Sequence, residues 1–312
     1  MDYVLPKTVE RAVNRNGTEY KTIYYEPPIT LAGVVDESYQ EYDNSATYNT
    51  GDYVLFDALK KYYRCAADNT SGVHPLDDSE TWVDYGAINS YRMLSSDEFI
   101  SGHTTGSDIL IEFDISRQDT FAFVNAEFIS VLVEHINLDS GETVFSKVYD
   151  GRDYGCYSYS DYYFTEYKAL SRLLITNLDY LPRATLRLTF TGAVSLGGCV
   201  IGLRNYLGVS LMGTSLKFED TSKIITSPVT NSRSVVRYGN IRVVDAIVLN
   251  EVKDFNLTAN KVEGIIGRNI LWLPTSKDEF TELISIGYIE NFDMPINNNS
   301  KVESNTTIIG VL

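Results

Sequence analysis

Histidine, cysteine, methionine and tryptophan are scarce in this 312-residue chain, with three His, three Cys, four Met and two Trp. Cys65, Cys156 and Cys199 are odd in number and form no CxxC pair. Neither a disulfide framework nor a cysteine zinc site follows, and three free thiols are expected. His74, His103 and His135 are widely spaced, and no HxH or HExxH run occurs. That excludes a helical metal site. Cations are short as well: 26 Lys and Arg face 42 Asp and Glu, for a net charge of −16. Phosphate contacts need clustered Lys and Arg, so nucleic-acid binding is excluded, and binding to an anionic membrane surface with it. No apolar run approaches the ~18 residues of a bilayer span, so no membrane insertion is expected. The start MDYVLPKTVERAV lacks a basic segment followed by an apolar one, so synthesis in a cytoplasm without export is expected.

Sequence patterns for catalysis are missing too. Gly208-Val-Ser-Leu-Met-Gly213 is one residue too long for a nucleophile elbow. The glycine-rich stretch from Leu196 to Gly208 lacks the G-K-[ST] of a phosphate loop, and its glycines are expected to bend or bulge a strand. Asp139-Ser-Gly-Glu142 and Asp150-Gly-Arg-Asp153 fall short of a calcium loop. No catalytic residue, metal or cofactor is indicated.

What the chain does have is tyrosine, 23 of them, and long β-branched runs. Both favour strands. Ile109, Ile111, Phe113 and Ile115 alternate with mostly polar partners, and Leu186, Leu188 and Phe190 alternate with Arg187 and Thr189. Period two, short runs and polar turns predict a mainly β protein. The expected fold is an antiparallel, jelly-roll-like β-sandwich. One helix is expected near 254–267, where Thr258, Val262, Ile265 and Ile266 have helical spacing, with Asn256 as cap and Gly267 as stop. The expected organisation is an extended arm over 1–45 with one or two short strands, a small β module over 46–86, a sandwich over 87–294 and a tail over 295–312. The terminal run from Ile308 to Leu312 is expected to pair at a sheet edge.

Aromatics cluster twice. Tyr157 and Tyr159 alternate with Ser158 and Ser160 like a strand facing a neighbouring subunit, and Tyr162 follows them as a third candidate interface residue. Tyrosine suits such interfaces because it adds contact area at low entropy cost. The other cluster is YNTGDYVLFDALKKYYRCAADNTSGVHPLDDSETW over 48–82. Tyr48, Gly51-Asp52-Tyr53-Val54, Tyr63-Arg64-Cys65-Ala66, Pro75 and Trp82, in that order, resemble the small chitin-binding type of carbohydrate-binding module. The resemblance implies a hairpin-based module with a sugar platform, for which Tyr53, Phe56, Tyr62, Tyr63 and Trp82 are the candidate rings. Where that family places exposed aromatics after its second strand, this chain has Ala66-Ala67-Asp68-Asn69.

The remainder is similar to virion proteins of tailed bacteriophages. The similarity is carried by Asn89-Ser-Tyr-Arg-Met-Leu-Ser95, Tyr162-Tyr163-Phe164, Leu207-Gly208 with Gly213-Thr-Ser-Leu-Lys-Phe-Glu-Asp-Thr-Ser-Lys223, Leu271-Trp272-Leu273 and Gly287-Tyr-Ile-Glu-Asn-Phe292. It implies a structural tail component without enzymatic activity, made in the host cytoplasm and built into the virion. Its partners would be copies of itself and other tail proteins. A second reading is a receptor-binding protein whose 46–86 module recognises host surface polysaccharide.

Overall fold

A computed structural model describes residues 1–96, 102–153, 163, 168–169, 171–220, 222–226, 233–236, 240–275, 283–296 and 300–310. The fold is mainly β and antiparallel, as the alternation predicts. The chain divides into two compact units. One is Pro6–Leu203, and the other joins Met1–Leu5 to Arg204–Leu312. This division falls elsewhere than the boundaries read from the sequence.

The first unit begins with a hairpin, β1 (Thr8–Arg15) and β2 (Thr18–Tyr25), in the region expected to be an extended arm. Its turn is Asn16-Gly17, with φ of 52° and 82°. Both values lie in the left-handed region, the requirement of a two-residue hairpin turn whose twist matches its strands. Val9, Arg11, Val13 and Arg15 share the inner side with Tyr24 and Thr22. Next come β3 (Thr30–Val34) and the three strands of the small module, β4 (Tyr53–Phe56), β5 (Lys61–Cys65) and β6 (Trp82–Ala87). A turn over Asp57–Leu59 joins β4 to β5, and Lys60 closes it at φ 54°.

A single turn of helix, α1 (Asn89–Arg92), leads to the sandwich. One sheet runs β10 (Thr143–Asp150), β9 (Ser130–Asn137), β12 (Ala184–Thr191), β7 (Thr104–Asp114), with β3 on the far side of β7. The other runs β11 (Arg172–Ile175), β8 (Thr120–Glu127), β13 (Ala193–Tyr206). β13 pairs first with β7 and then with β8, so it turns the corner between the sheets. Gly197 permits that corner: a Cβ there would stand 2.7 Å from the Asn125 carbonyl.

The inward rows are those of the alternation. Ile109, Ile111 and Phe113 lie beside Leu186, Leu188 and Phe190, all essentially without exposure. Phe113 meets Phe121 at 5.8 Å, and Phe123 meets Phe190 at 5.7 Å, which ties one sheet to the other. Each such ring contributes roughly 1.5–3 kcal/mol by leaving water. Cys199 is buried and free, and desolvation pushes its thiol well above the ordinary range.

In the second unit strand Asp2–Pro6 pairs with β16 (Ile270–Leu273), followed in order by β17 (Ser285–Asp293), β18 (Lys301–Gly310) and β15 (Asn240–Glu251). β14 (Ser215–Asp220) borders β15. The helix is α2 (Phe255–Glu263), which buries Thr258 and Val262, with Ile265 just beyond its end. Val262 and Ile265 join Trp272, Val244, Ala246 and Val248 in one core. Asn256 is inside the helix, not its cap: Asp254 is the capping position, and Gly264 rather than Gly267 follows the last turn. The expected tail also differs. β18 is an interior strand with partners on both sides, and Val302, Ser304, Thr306 and Ile308 form its buried row.

Candidate functional site

The small module sorts its residues by strand parity. β4, β5 and β6 form a three-stranded sheet with Tyr53 opposite Arg64 and Leu55 opposite Tyr62. Val54, Tyr63, Cys65 and Trp82 face one way and make a core, against which Tyr42, Tyr48, Phe56, Val73 and Leu76 pack. Trp82 is 1% exposed, and its indole N–H donates to the Val73 carbonyl at 2.8 Å. The Cys65 thiol is free and donates to the Ala67 carbonyl at 3.0 Å.

The opposite face holds Tyr53, Tyr62 and Tyr85. Tyr85 reaches it through a bulge: β6 pairs Gly86 with Tyr62 and Asp84 with Tyr63, so Tyr85 is the extra residue. The Gly86 N–H donates to Asp84 Oδ1 at 2.9 Å and pins the bulge. Tyr53 and Tyr85 meet edge-on at 5.1 Å, and Tyr62 and Tyr85 lie tilted at 5.5 Å.

A fourth ring comes from outside the module. Tyr39 stacks on Tyr53 at 5.0 Å with 22° between the ring planes. Its segment is tied down on both sides. The Leu55 N–H donates to the Gln40 carbonyl at 2.8 Å, and the Tyr42 N–H to the Leu55 carbonyl at 2.9 Å. The Asp36 carboxylate accepts from the Ser90 N–H and hydroxyl at 2.6 and 2.8 Å. Arg92 pairs with Glu37 and donates to the Tyr62 hydroxyl.

Asn89 closes the seam to the sandwich. Its Nδ2 donates to the Val35 and Thr105 carbonyls at 2.9 Å each, and its Oδ1 accepts the Thr105 N–H at 2.9 Å. Residues 89–92 therefore hold the outer face in place.

The electrostatics of this face are those of phenols. Burial, above all, pushes the Tyr62 hydroxyl above its ordinary value. A hydrogen bond with Tyr85 pushes the Tyr53 phenol up. Both stay protonated at neutral pH, and the Tyr62 hydroxyl accepts from Arg92. The arrangement can stack a flat apolar surface and hydrogen-bond its edge. Among the described residues no group of three or more His, Cys, Asp or Glu side chains gathers as a metal site.

The five rings expected to face a sugar are not one surface. Tyr62, Tyr63 and Trp82 are 3, 6 and 1% exposed, so burial leaves them no face for a ligand. Phe56 packs on the core side, edge-on to His74, while Tyr53 lies on the opposite face. The exposed rings are Tyr39, at 37%, and Tyr85, at 55%, with Tyr53 half-buried between them. Tyr39 and Tyr85 were missed by sequence reasoning. The Tyr85-Gly86 pair inside a strand was the available signal, because a glycine there marks a bulge. Tyr157, Tyr159 and Tyr162, the expected subunit interface, lie outside the described residues. No family model, no curated protein and no solved structure matches this chain.

Proposed function

We propose that this chain is a structural component of a bacteriophage tail, assembling by protein–protein contacts into a ring, collar or tail-tip complex. The observation that supports this reading best is the outer face of the first sandwich sheet. Val148 is 63% exposed there and stands opposite Leu132, and Val144 is 43% exposed on the same strand. Exposed apolar side chains on a chain of such negative charge fit a surface that a partner covers. Antibodies raised against the purified chain test the assignment. They should decorate the tails of virions in electron micrographs, and absence of the chain from purified virions overturns it.

A second reading has its own observation. Tyr85 stands exposed on the module's sheet beside Tyr53, Tyr39 stacks on Tyr53 from outside the sheet, and rings of this kind stack on the apolar faces of pyranoses. The module would then present a recognition face to host surface polysaccharide. The test is binding of that polysaccharide to the wild type and to Tyr85→Ala. Loss of binding on substitution supports the reading, and equal binding removes it.

A further inference from the structure

His74 opens the turn that leads from the module's loop towards Trp82. It is 8% exposed. Its ring meets Tyr42 edge-on at 5.0 Å and Phe56 edge-on at 5.1 Å. Nδ1 accepts the Leu76 N–H at 3.2 Å. An accepting Nδ1 carries no proton, so the ring is neutral with its hydrogen on Nε2. The His74 carbonyl accepts the Asp77 N–H at 2.9 Å, closing the turn. The Asp77 carboxylate in turn receives Arg15 Nε at 2.8 Å and Asn16 Nδ2 at 3.4 Å from the tip of the β1–β2 hairpin. One short turn thus contains an imidazole that must be neutral and the carboxylate that holds the hairpin tip.

We propose that His74 is a pH sensor for hairpin docking: protonation of Nδ1 breaks the bond to the Leu76 N–H, loosens the turn and frees Arg15 and Asn16 from Asp77. The groups facing the imidazole are few. Arg15 comes from the hairpin, the Tyr42 ring from the segment before the module, and Asp77 from its own turn, while Phe56 on β4 brings no charge. Burial, and then Arg15, hold the imidazole below its ordinary value, with Asp77 opposing them. The neutral imidazole's contribution to docking of the hairpin tip is therefore full above about pH 6.5, where a free imidazole titrates, and is lost as the pH falls through the lower folded value. The hydrogen bond from Arg15 keeps the Asp77 carboxyl below the usual range, so Asp77 stays ionised throughout this window.

The test is an NMR titration of the full chain from about pH 8 to 5, following the His74 ring and the Gly17 amide. The expected result is a single shared midpoint below about 6.5. His74→Asn sharpens it, because the amide oxygen takes over the bond from Leu76 and does not titrate: the Gly17 transition should vanish with the hairpin docked. Asp77→Asn should place the Gly17 resonance at pH 8 where the wild type arrives at pH 5. A Gly17 shift that persists in His74→Asn, or a His74 titration to which Gly17 does not respond, overturns the proposal. If His74→Asn does not fold, matching or separate midpoints in the wild type decide alone.

Discussion

The two faces of the small module's sheet are built from the same residue and put it to opposite uses. On the inner face Tyr63 is packed with Trp82, Val54 and Cys65. On the outer face Tyr85 stands in the open, and Tyr62, its neighbour, is covered where Tyr39 and Arg92 reach over it beside Tyr53 and Tyr85. Burial follows what is built above each ring. A strand's parity divides the residues into two rows, but the cover comes from residues far along the chain. The same phenol is core on one side and surface on the other.

The largest effect should come from the inner face. Trp82→Ala removes the centre of the module's core and its bond to Val73, and should destabilise by about 3–5 kcal/mol. Urea unfolding followed by far-ultraviolet circular dichroism measures it. A loss well under 1 kcal/mol would mean that the two faces are not energetically distinct. The seam ranks next. Asn89→Ala leaves two carbonyls and one N–H without their partners, at a cost of about 1–3 kcal/mol. Amide exchange at Thr105 should rise in that variant, and unchanged protection would separate the seam from the outer face it is said to hold.

A polar member of an inward row gives the third test. His135 lies in line with Val131 and Val133, opposite Leu186 on one side and Phe145 on the other, with no exposure. Neither ring nitrogen has a hydrogen-bond partner among the described residues. Desolvation lowers its pKa, with Asp179 acting weakly the other way. The folded ring therefore stays neutral while the unfolded ring takes up a proton below about pH 6.5. Its share of stability is full above that pH and is lost as the pH falls through the folded value. His135→Leu should raise stability at neutral pH and flatten the decline between pH 7 and 5. An unchanged slope in denaturation midpoints across that range would place the pH dependence elsewhere.

The smallest effect belongs to the outer face. Tyr85→Ala should change stability by no more than about 0.5 kcal/mol, because the ring is exposed and the bulge is held by Asp84. Calorimetry would contradict this with a drop comparable to that of Trp82→Ala.

Much of the fold was legible in the sequence. The rows from Ile109 to Phe113 and from Leu186 to Phe190 are buried as their alternation predicts, since nothing but a sandwich interior covers them. The hairpin at Asn16-Gly17 was also legible in principle. An Asn-Gly pair between alternating strands is a strong turn signal, but the polar strands around it resembled an arm. β18 was hidden differently. Two of its buried residues, Ser304 and Thr306, are polar, so its period-two pattern had little hydrophobic contrast. The site was the least legible part. Tyr85 owes its place to a bulge, and Tyr39 arrives from outside the module. Neither a one-residue register shift nor a long-range contact leaves a periodic mark in the chain.

The most direct test of the outer face as a contact surface is oxidative footprinting of Tyr85 in the free chain and in purified virions, with and without host surface polysaccharide. Tyr85 should be reactive in the free chain. Protection in the virion would make it a subunit contact, and protection only on adding polysaccharide would make it a recognition ring. Reactivity undiminished in all three states would contradict the account, leaving Tyr85 as solvated surface.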